Sequence, residues 1–546
     1  MNSTGCRFAS STTVLAWIVL AACCWSLATT ANGHAVHSHK DHTEQDLQFW
    51  IENAKKTVAQ KLNYVNNQNV AKNIIMFLGD GMSLTTLTAA RIYQGQLEKK
   101  AGENEFLSFE KFPFVGMSKT YCVDKQVADS ACTATAYLTG VKGNFETVGL
   151  SAAAKISDCP ASVDPDNRSS SILKWAQDAG KSTGIVTTTR VTHASPSGTY
   201  AHSAHRNWES DADLEAAINL TDITKCEDIA KQLITREPGK NINVILGGGQ
   251  NNFFLKESDK NGSRMDMDLV EFWKNDKKNR DSSAYYIEDR EQLLKIDPSK
   301  TDYLLGLFEK EHFNFRLQAK QTQPTLAEMT KVAIQVLSKN KNGFFLFVEG
   351  GLIDWAHHAT KARLALDETV EFSKAVQQAV DLTKEKDTLI IVTSDHAHTV
   401  SMAGYPDRGN DILGFADTSS IDKRPYTTIS YANGPKYNVD TSDCSRKNLS
   451  ETELSDPNFQ YPHLVPLKDE THSGEDVMVF AKGPWAHLFS GNYEQNVIPI
   501  TMGFAAGIGP SGDSNPALKS DGYSTTLYSY FYSLTSLSMI IAYYFR

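Results

Sequence analysis

The chain has 546 residues, 41% apolar and 22% charged, with a formal net charge of -10. This length excludes a small module and allows one large α/β domain with an insertion. The acidic balance, with no basic stripe against it, excludes a nucleic-acid-binding role and requires any anionic ligand to be drawn by local positive charge, a metal or a placed Arg.

Val14 to Leu27 is almost wholly apolar, follows Arg7 and leads into the small residues before Gly33. This pattern predicts a secretory signal peptide over residues 1–33. His34 to His42 carries four histidines, which suit a solvated mature terminus better than a metal site. Thr43 to Asp46 resembles a helix cap, and Leu47, Trp50, Ile51, Ala54, Val58 and Leu62 follow at helical spacing. An amphipathic helix is therefore expected within an N-terminal arm of residues 34–71, docked on its own domain or on a partner.

Asn73 to Leu78 reads as a buried parallel strand that stops at Gly79-Asp80-Gly81. Asp80 then stands at the carboxyl end of a strand, where open α/β sheets carry ligands and where a carboxylate can bridge metals. Further apolar runs begin at Gly184, Ile242, Phe344, Thr388 and Val477, with helical stretches at 171–179, 326–337 and 362–382. Strands alternating with helices imply a mostly parallel sheet covered on both faces. Several runs end in polar residues: Asp80, Arg190, Glu349 and Asp395. Residues 404–466 are rich in Gly, Pro, Asp and Ser and read as an inserted subdomain.

Candidate chemistry recurs at these ends. Ser130 begins a small-residue helix, where free N–H groups favour an anion; it is a candidate nucleophile or simply a cap. Asp354 and His358 are four apart and share a helix face ready for zinc, although His357 at three apart shares it too. Glu349 offers an oxygen suited to magnesium. Asp395-His396-Ala397-His398 is a dense group of metal-competent side chains, and His472 adds one more.

Secretion permits disulfides, and outside the signal five cysteines remain: Cys122, Cys132, Cys159, Cys226 and Cys444. An odd count leaves one over. Sequons stand at Asn167, Asn219, Asn261 and Asn448. At the C-terminus, small residues from Ser511 to Asn515, a polar spacer and an apolar tail from Leu527 to Phe545 match a glycolipid (GPI) anchor signal over 509–546 rather than a spanning helix.

These residues carry a family resemblance. Asp80 in Gly-Asp-Gly-Met, Ser130 in Asp-Ser-Ala-x-Thr-Ala-Thr-Ala-Tyr, His193-Ala194-Ser195-Pro196, Arg206 in His-Arg-Asn-Trp, Glu349-Gly350-Gly351, Asp395-His396 and Thr471-His472-Ser473-Gly474-Glu475 resemble animal alkaline phosphatases, and most of all a membrane-bound arthropod type. The resemblance implies a three-layer α/β/α sandwich, with a catalytic domain over 72–403 and 467–508 and a crown-like insertion over 404–466. It implies a homodimer on the outer membrane face, a broad range of phosphate monoester substrates, and two zinc ions and one magnesium ion per subunit.

Carried over by position, Asp354, His358 and His472 would hold the first zinc, and Asp80, Asp395 and His396 the second. Asp80, Ser195 and Glu349 would hold magnesium, with His193, His398 and Trp355 one step behind the ligands. Ser130 would form a phosphoserine and Arg206 would clamp phosphate through two oxygens at once. An in-line displacement between two zincs about 4 Å apart is stabilised at both its entering and its leaving oxygen.

Four positions depart from the pattern. Trp355 stands where mammalian members have His and bacterial ones Lys. Gln323 stands where the mammalian calcium site has Asp, although Phe308-Glu309 is retained, which speaks against calcium as a fourth metal. Cys132 replaces a Gly beside the nucleophile, and the C-terminal cysteine pair is missing. Cys159–Cys226 matches the family's other disulfide. Cys122–Cys132, ten apart around the Ser130 approach, is the second expected bridge, leaving Cys444 over. A sulfatase or phosphodiesterase on the same fold, and a silent surface glycoprotein, are the competing readings; the latter needs a lost ligand, and none is lost.

Overall fold

The computed structural model describes residues 42–217, 226–435, 439–440 and 445–519. The expected signal peptide, the histidines before residue 42, Asn219, Cys444 and the tail from residue 520 lie outside these residues. Eight strands of the central sheet are β1 (Asn73–Gly79), β2 (Phe114–Lys119), β3 (Ser182–Arg190), β4 (Val244–Gly248), β5 (Ala284–Ile287), β6 (Tyr303–Leu307), β7 (Phe344–Gly350) and β8 (Thr388–Thr393). Two more, Val477–Lys482 and Gly491–Glu494, complete it. Across the sheet the order is Gly491–Glu494, β2, Val477–Lys482, β8, β1, β7, β3, β4, β6, β5. Every pair is parallel except at Val477–Lys482, which runs antiparallel to both β2 and β8.

The alternation of side chains divides the interior into two cores. Ile75 and Phe77 of β1, Phe344, Leu346 and Val348 of β7, and Ile390 and Val392 of β8 face one side, where they meet the helices Leu326–Leu337 and Ala362–Leu382. Ile74, Met76, Leu78, Phe345, Phe347, Leu389 and Ile391 face the other, against the helices Ile172–Asp178 and Val497–Ala506. Central strands are buried on both faces, which is why β1, β7 and β8 are near-continuous apolar runs. The sandwich is the three-layer α/β/α arrangement expected from the sequence.

β2, β5 and β6 were not anticipated, nor was the strand Gly491–Glu494. Its four residues, Gly-Asn-Tyr-Glu, carry no apolar run, because an edge strand paired only to β2 has little to bury. Between residues 400 and 466 the chain forms separate small sheets, Val400–Met402 with Ile429–Gly434 and His463–Pro466, and Phe415–Thr418 with Pro425–Thr427.

The N-terminal helix α1 (Leu47–Leu62) begins one turn later than Thr43, because Asp46 supplies the cap by accepting from the Gln48 N–H. None of its residues is buried. Helix α2 (Leu84–Leu97) follows β1, and α3 (Ser130–Thr139) is buried along its whole length. Small side chains in α3 allow that depth.

Candidate metal centre

The register of the four central strands brings the polar strand ends to one place. Leu78 pairs with Glu349 on one side and Thr393 on the other, so Asp80 and Asp395, each two residues on, lie level with one another. Glu349 also pairs with Thr187 of β3. The turn after β1 demands its glycine twice over. Gly81 has φ +65°, and a Cβ there would meet the His398 ring at 2.4 Å. Its N–H donates to Asp395 Oδ1 at 2.9 Å.

Three groups converge. In the first, Asp354 Oδ1 lies 3.3 Å from His358 Nε2 and 3.4 Å from His472 Nε2. His358 Nδ1 donates to the Glu470 carbonyl, and His472 Nδ1 to the Ala128 carbonyl at 2.7 Å. Each ring is thereby fixed with its Nε2 lone pair toward the cluster, the tautomer a metal requires. His398 belongs to the same group, its Nε2 2.7 Å from Asp354 Oδ1 and its Nδ1 on the buried Glu470. His357, left open as a ligand by its spacing, turns away: its nitrogens meet Thr86 and Tyr431, both at 2.9 Å.

The second group is Asp80, Asp395 and His396, with His396 Nε2 3.1 Å from Asp395 and 3.5 Å from Asp80. Ser130 Oγ lies 3.3 Å from the same nitrogen. Ser130 is the first residue of α3 and not its cap; Asp129 caps the helix, accepting from the Ala131 and Cys132 N–H groups. The third group gathers Asp80, Glu349 and His193. Glu349 Oε2 accepts from the Thr187 and Thr189 hydroxyls.

Arg206 donates to Asp129 Oδ2 at 3.0 Å and contacts His193 Nε2 at 3.1 Å. Trp355 is 41% exposed at the rim, its ring 4.4 Å from that of His312. His312 in turn packs edge-on against His193 and meets Arg190 Nη1 at 2.8 Å.

The electrostatics of this cage call for cations. Asp80 is pushed well above the usual carboxylate range by burial and then by Asp395, Asp354 and Glu349. Burial likewise lifts Glu349 to about 7, against the hydrogen bonds from the Thr187 and Thr189 hydroxyls. Burial would also raise Asp354, but His358, His398 and His472 hold it well below. Both Asp80 oxygens, Asp395 Oδ2, Glu349 Oε1 and Ser195 Oγ are buried without a hydrogen-bond partner. Orphaned buried oxygens are costly, and a divalent ion satisfies them as no apolar neighbour can. Nitrogen-rich donors in the first group suit zinc, and the all-oxygen set of Asp80, Glu349 and Ser195 suits magnesium.

Against this geometry stand the comparisons. The sequence profile of the alkaline phosphatase family matches residues 71–508. The chain belongs to the alkaline phosphatase family. Its clusters are those of a metal-dependent phosphatase that hydrolyses phosphate monoesters. Human tissue-nonspecific alkaline phosphatase is 49% identical over 488 residues, covering 87% of this chain and 91% of that relative. The membrane-bound alkaline phosphatase of Bombyx mori is 45% identical, covering 88% and 89%. Vertebrate and insect relatives are thus comparably similar, and the likeness is to animal alkaline phosphatases, with arthropod members not distinctly favoured. Among solved structures, the alkaline phosphatase of Thermus thermophilus superposes with a TM-score of 0.58 at 20% identity, covering 84% of this chain and 97% of that one, a likeness of fold.

Other sequence-derived positions are placed as follows. Disulfides join Cys122 to Cys132 and Cys159 to Cys226, each with Cα atoms 5.8 Å apart. Asn261 and Asn448 are exposed, whereas Asn167 is half-buried and donates to the Ala161 carbonyl at 3.0 Å. Gln323 closes on Asn314 by accepting from its N–H and donating to its carbonyl, both at 2.9 Å. Asp129, Glu470, Thr187, Thr189 and His312 were not singled out as site residues. Asp129 stood inside the quoted Ser130 motif and Glu470 directly before the quoted His472 motif; nothing in the sequence marked His312.

Proposed function

We propose that this alkaline phosphatase works through a phosphoserine at Ser130, with two zinc ions and one magnesium ion held by the residue sets the resemblance implies. The observation that carries the reading is the convergence of Asp80, Glu349, Asp395 and His396 at adjacent strand ends, with Ser130 Oγ 3.3 Å from His396 Nε2. When bound, the metals supply Lewis acidity that favours the Ser130 alkoxide and offsets charge on the entering and leaving oxygens. Ser130 Oγ attacks phosphorus in line, and the alcohol departs. Arg206, oriented by Asp129, holds two non-bridging oxygens through its planar fork. Water then displaces Ser130 Oγ and frees inorganic phosphate. Little of the site grips the alcohol, so a broad range of monoesters follows. Chelator should abolish hydrolysis of p-nitrophenyl phosphate, and zinc with magnesium should restore it. Chelator-resistant turnover, or faster cleavage of p-nitrophenyl sulfate or bis-p-nitrophenyl phosphate, would refute the reading.

We also infer a homodimer on the outer membrane face, held by a lipid anchor. Leu47, Trp50, Val58 and Leu62 of α1 are 55–80% exposed, an apolar face that a second subunit would cover. Among the described residues no helix is long and apolar enough to cross a membrane. Ser511 donates to the Ile500 carbonyl at 2.6 Å and Asn515 is fully buried, which supports an attachment point beyond residue 515. A phosphatidylinositol-specific phospholipase should release the protein from cells as a particle of twice the chain mass by light scattering. Retention on the membrane, or a monomer, would contradict this.

Trp355 is proposed to weaken product binding. A His there could donate a charge-assisted hydrogen bond to phosphate, directly or through water, whereas Trp offers one neutral N–H. Trp355→His is expected to tighten inhibition by phosphate about tenfold and to lower the maximal rate where release is limiting. An unchanged inhibition constant with lowered stability would reduce Trp355 to packing against His312.

A further inference from the structure

We propose that the Cys122–Cys132 bridge is a positioning element for the reaction, setting three parts of the site at once. The inference rests on the reading above that Ser130, Arg206 and His472 take part in phosphoryl transfer. Three consecutive residues inside the ring closed by the bridge each touch a different working group. The Ala128 carbonyl fixes the His472 ring at 2.7 Å. Asp129 accepts from Arg206 Nη1 at 3.0 Å, from the Ala131 N–H at 3.1 Å and from the Glu146 N–H at 3.0 Å. Ser130 follows directly, with its Oγ beside His396.

Burial alone does not hold this segment. Residues 123–127 are exposed in succession, with Val123 54% and Val127 40% accessible. Two hydrogen bonds tie the exposed stretch to its neighbours, from the Phe145 N–H to Asp124 and from the Val123 N–H to the Gly143 carbonyl. The bridge supplies the covalent constraint. Cys122 lies three residues past β2, and Cys132 sits in the first turn of α3. Its own N–H donates to Asp129 Oδ1 at 3.3 Å. The bridge therefore ties the end of a paired strand to the helix that presents Ser130, across the loop that orients Arg206 and His472. Both cysteines are 2% exposed and pack with Ala128 and Phe145, so the bridge is shielded as a permanent tether.

The test is the double variant Cys122→Ala/Cys132→Ala, beside a second variant that keeps the bridge and inserts two glycines after Gln126, in the exposed stretch. Small misplacements of reacting groups cost up to about a hundredfold, so kcat/KM for p-nitrophenyl phosphate should fall about ten- to hundredfold in both. The phosphate inhibition constant should rise and zinc should pass to a chelator faster. If the bridge serves only stability, its removal lowers Tm but leaves the inhibition constant and the zinc release rate at wild-type values, as does the insertion, and that result overturns the proposal. Ser130→Ala and Arg206→Ala in the bridged chain separate the two levels: full turnover in either would sink the underlying reading and not the geometry of the loop.

Discussion

Ser130→Ala is expected to lose about a thousandfold or more in turnover while keeping its full complement of zinc and magnesium. Within the cage Ser130 Oγ touches only His396 Nε2, so its removal leaves every carboxylate and imidazole of the three groups in place. The helix survives as well, since Asp129 and not Ser130 caps α3. Stability should therefore change by only about 1 kcal/mol, the net worth of the one buried hydrogen bond lost. Residual activity would come from water attacking phosphate held by Arg206, with no phosphoserine trapped on acid quench. A metal-replete Ser130→Ala enzyme with wild-type turnover would remove the covalent route altogether.

The second large effect belongs to Asp80. Its carboxylate faces both the Asp395–His396 group and the Glu349–His193 group, so Asp80→Ala should deplete two metals rather than one. Changing residues behind metal ligands already costs about 10–100-fold in affinity, and a shared direct ligand should cost more than that. Stability should move in opposite directions with and without metal. Asp80 is buried among Asp395, Asp354 and Glu349, so the metal-stripped protein should be more stable without it. The metal-loaded protein gains stability by binding, and the variant forfeits part of that gain. Elemental analysis and paired melting curves check both halves; undiminished occupancy of both metals would refute the bridging role.

Much of this was legible in the chain because the chemistry sits at strand ends. A buried parallel strand announces itself as an apolar run, and the first polar residue after it lands where ligands gather. Asp80, Glu349 and Asp395 were found in this way, and the i, i+4 spacing of Asp354 and His358 did the same for a helix. The spacing left His357 and His358 undecided, because the choice is made by Thr86 and Tyr431, far away in sequence. Asp129 hid behind an ordinary cap, although it orients Arg206 from 77 residues away. His312 had no local pattern at all; it matters only because the chain returns it to Trp355 and His193. The edge strands Ala284–Ile287 and Gly491–Glu494 escaped for the opposite reason, having too little to bury, and the short inner strands Phe114–Lys119 and Tyr303–Leu307 escaped with them.

The main-chain carbonyls of Glu470 and Ala128 have a consequence for the order of assembly. Backbone atoms, not an ion, decide which way the His358 and His472 rings face. The chain can thus complete its sandwich first and meet its ions afterwards, as a socket made before its plug. Folding and metal loading become separable events, and a folded, metal-free chain keeps His358 and His472 already turned toward the site they serve.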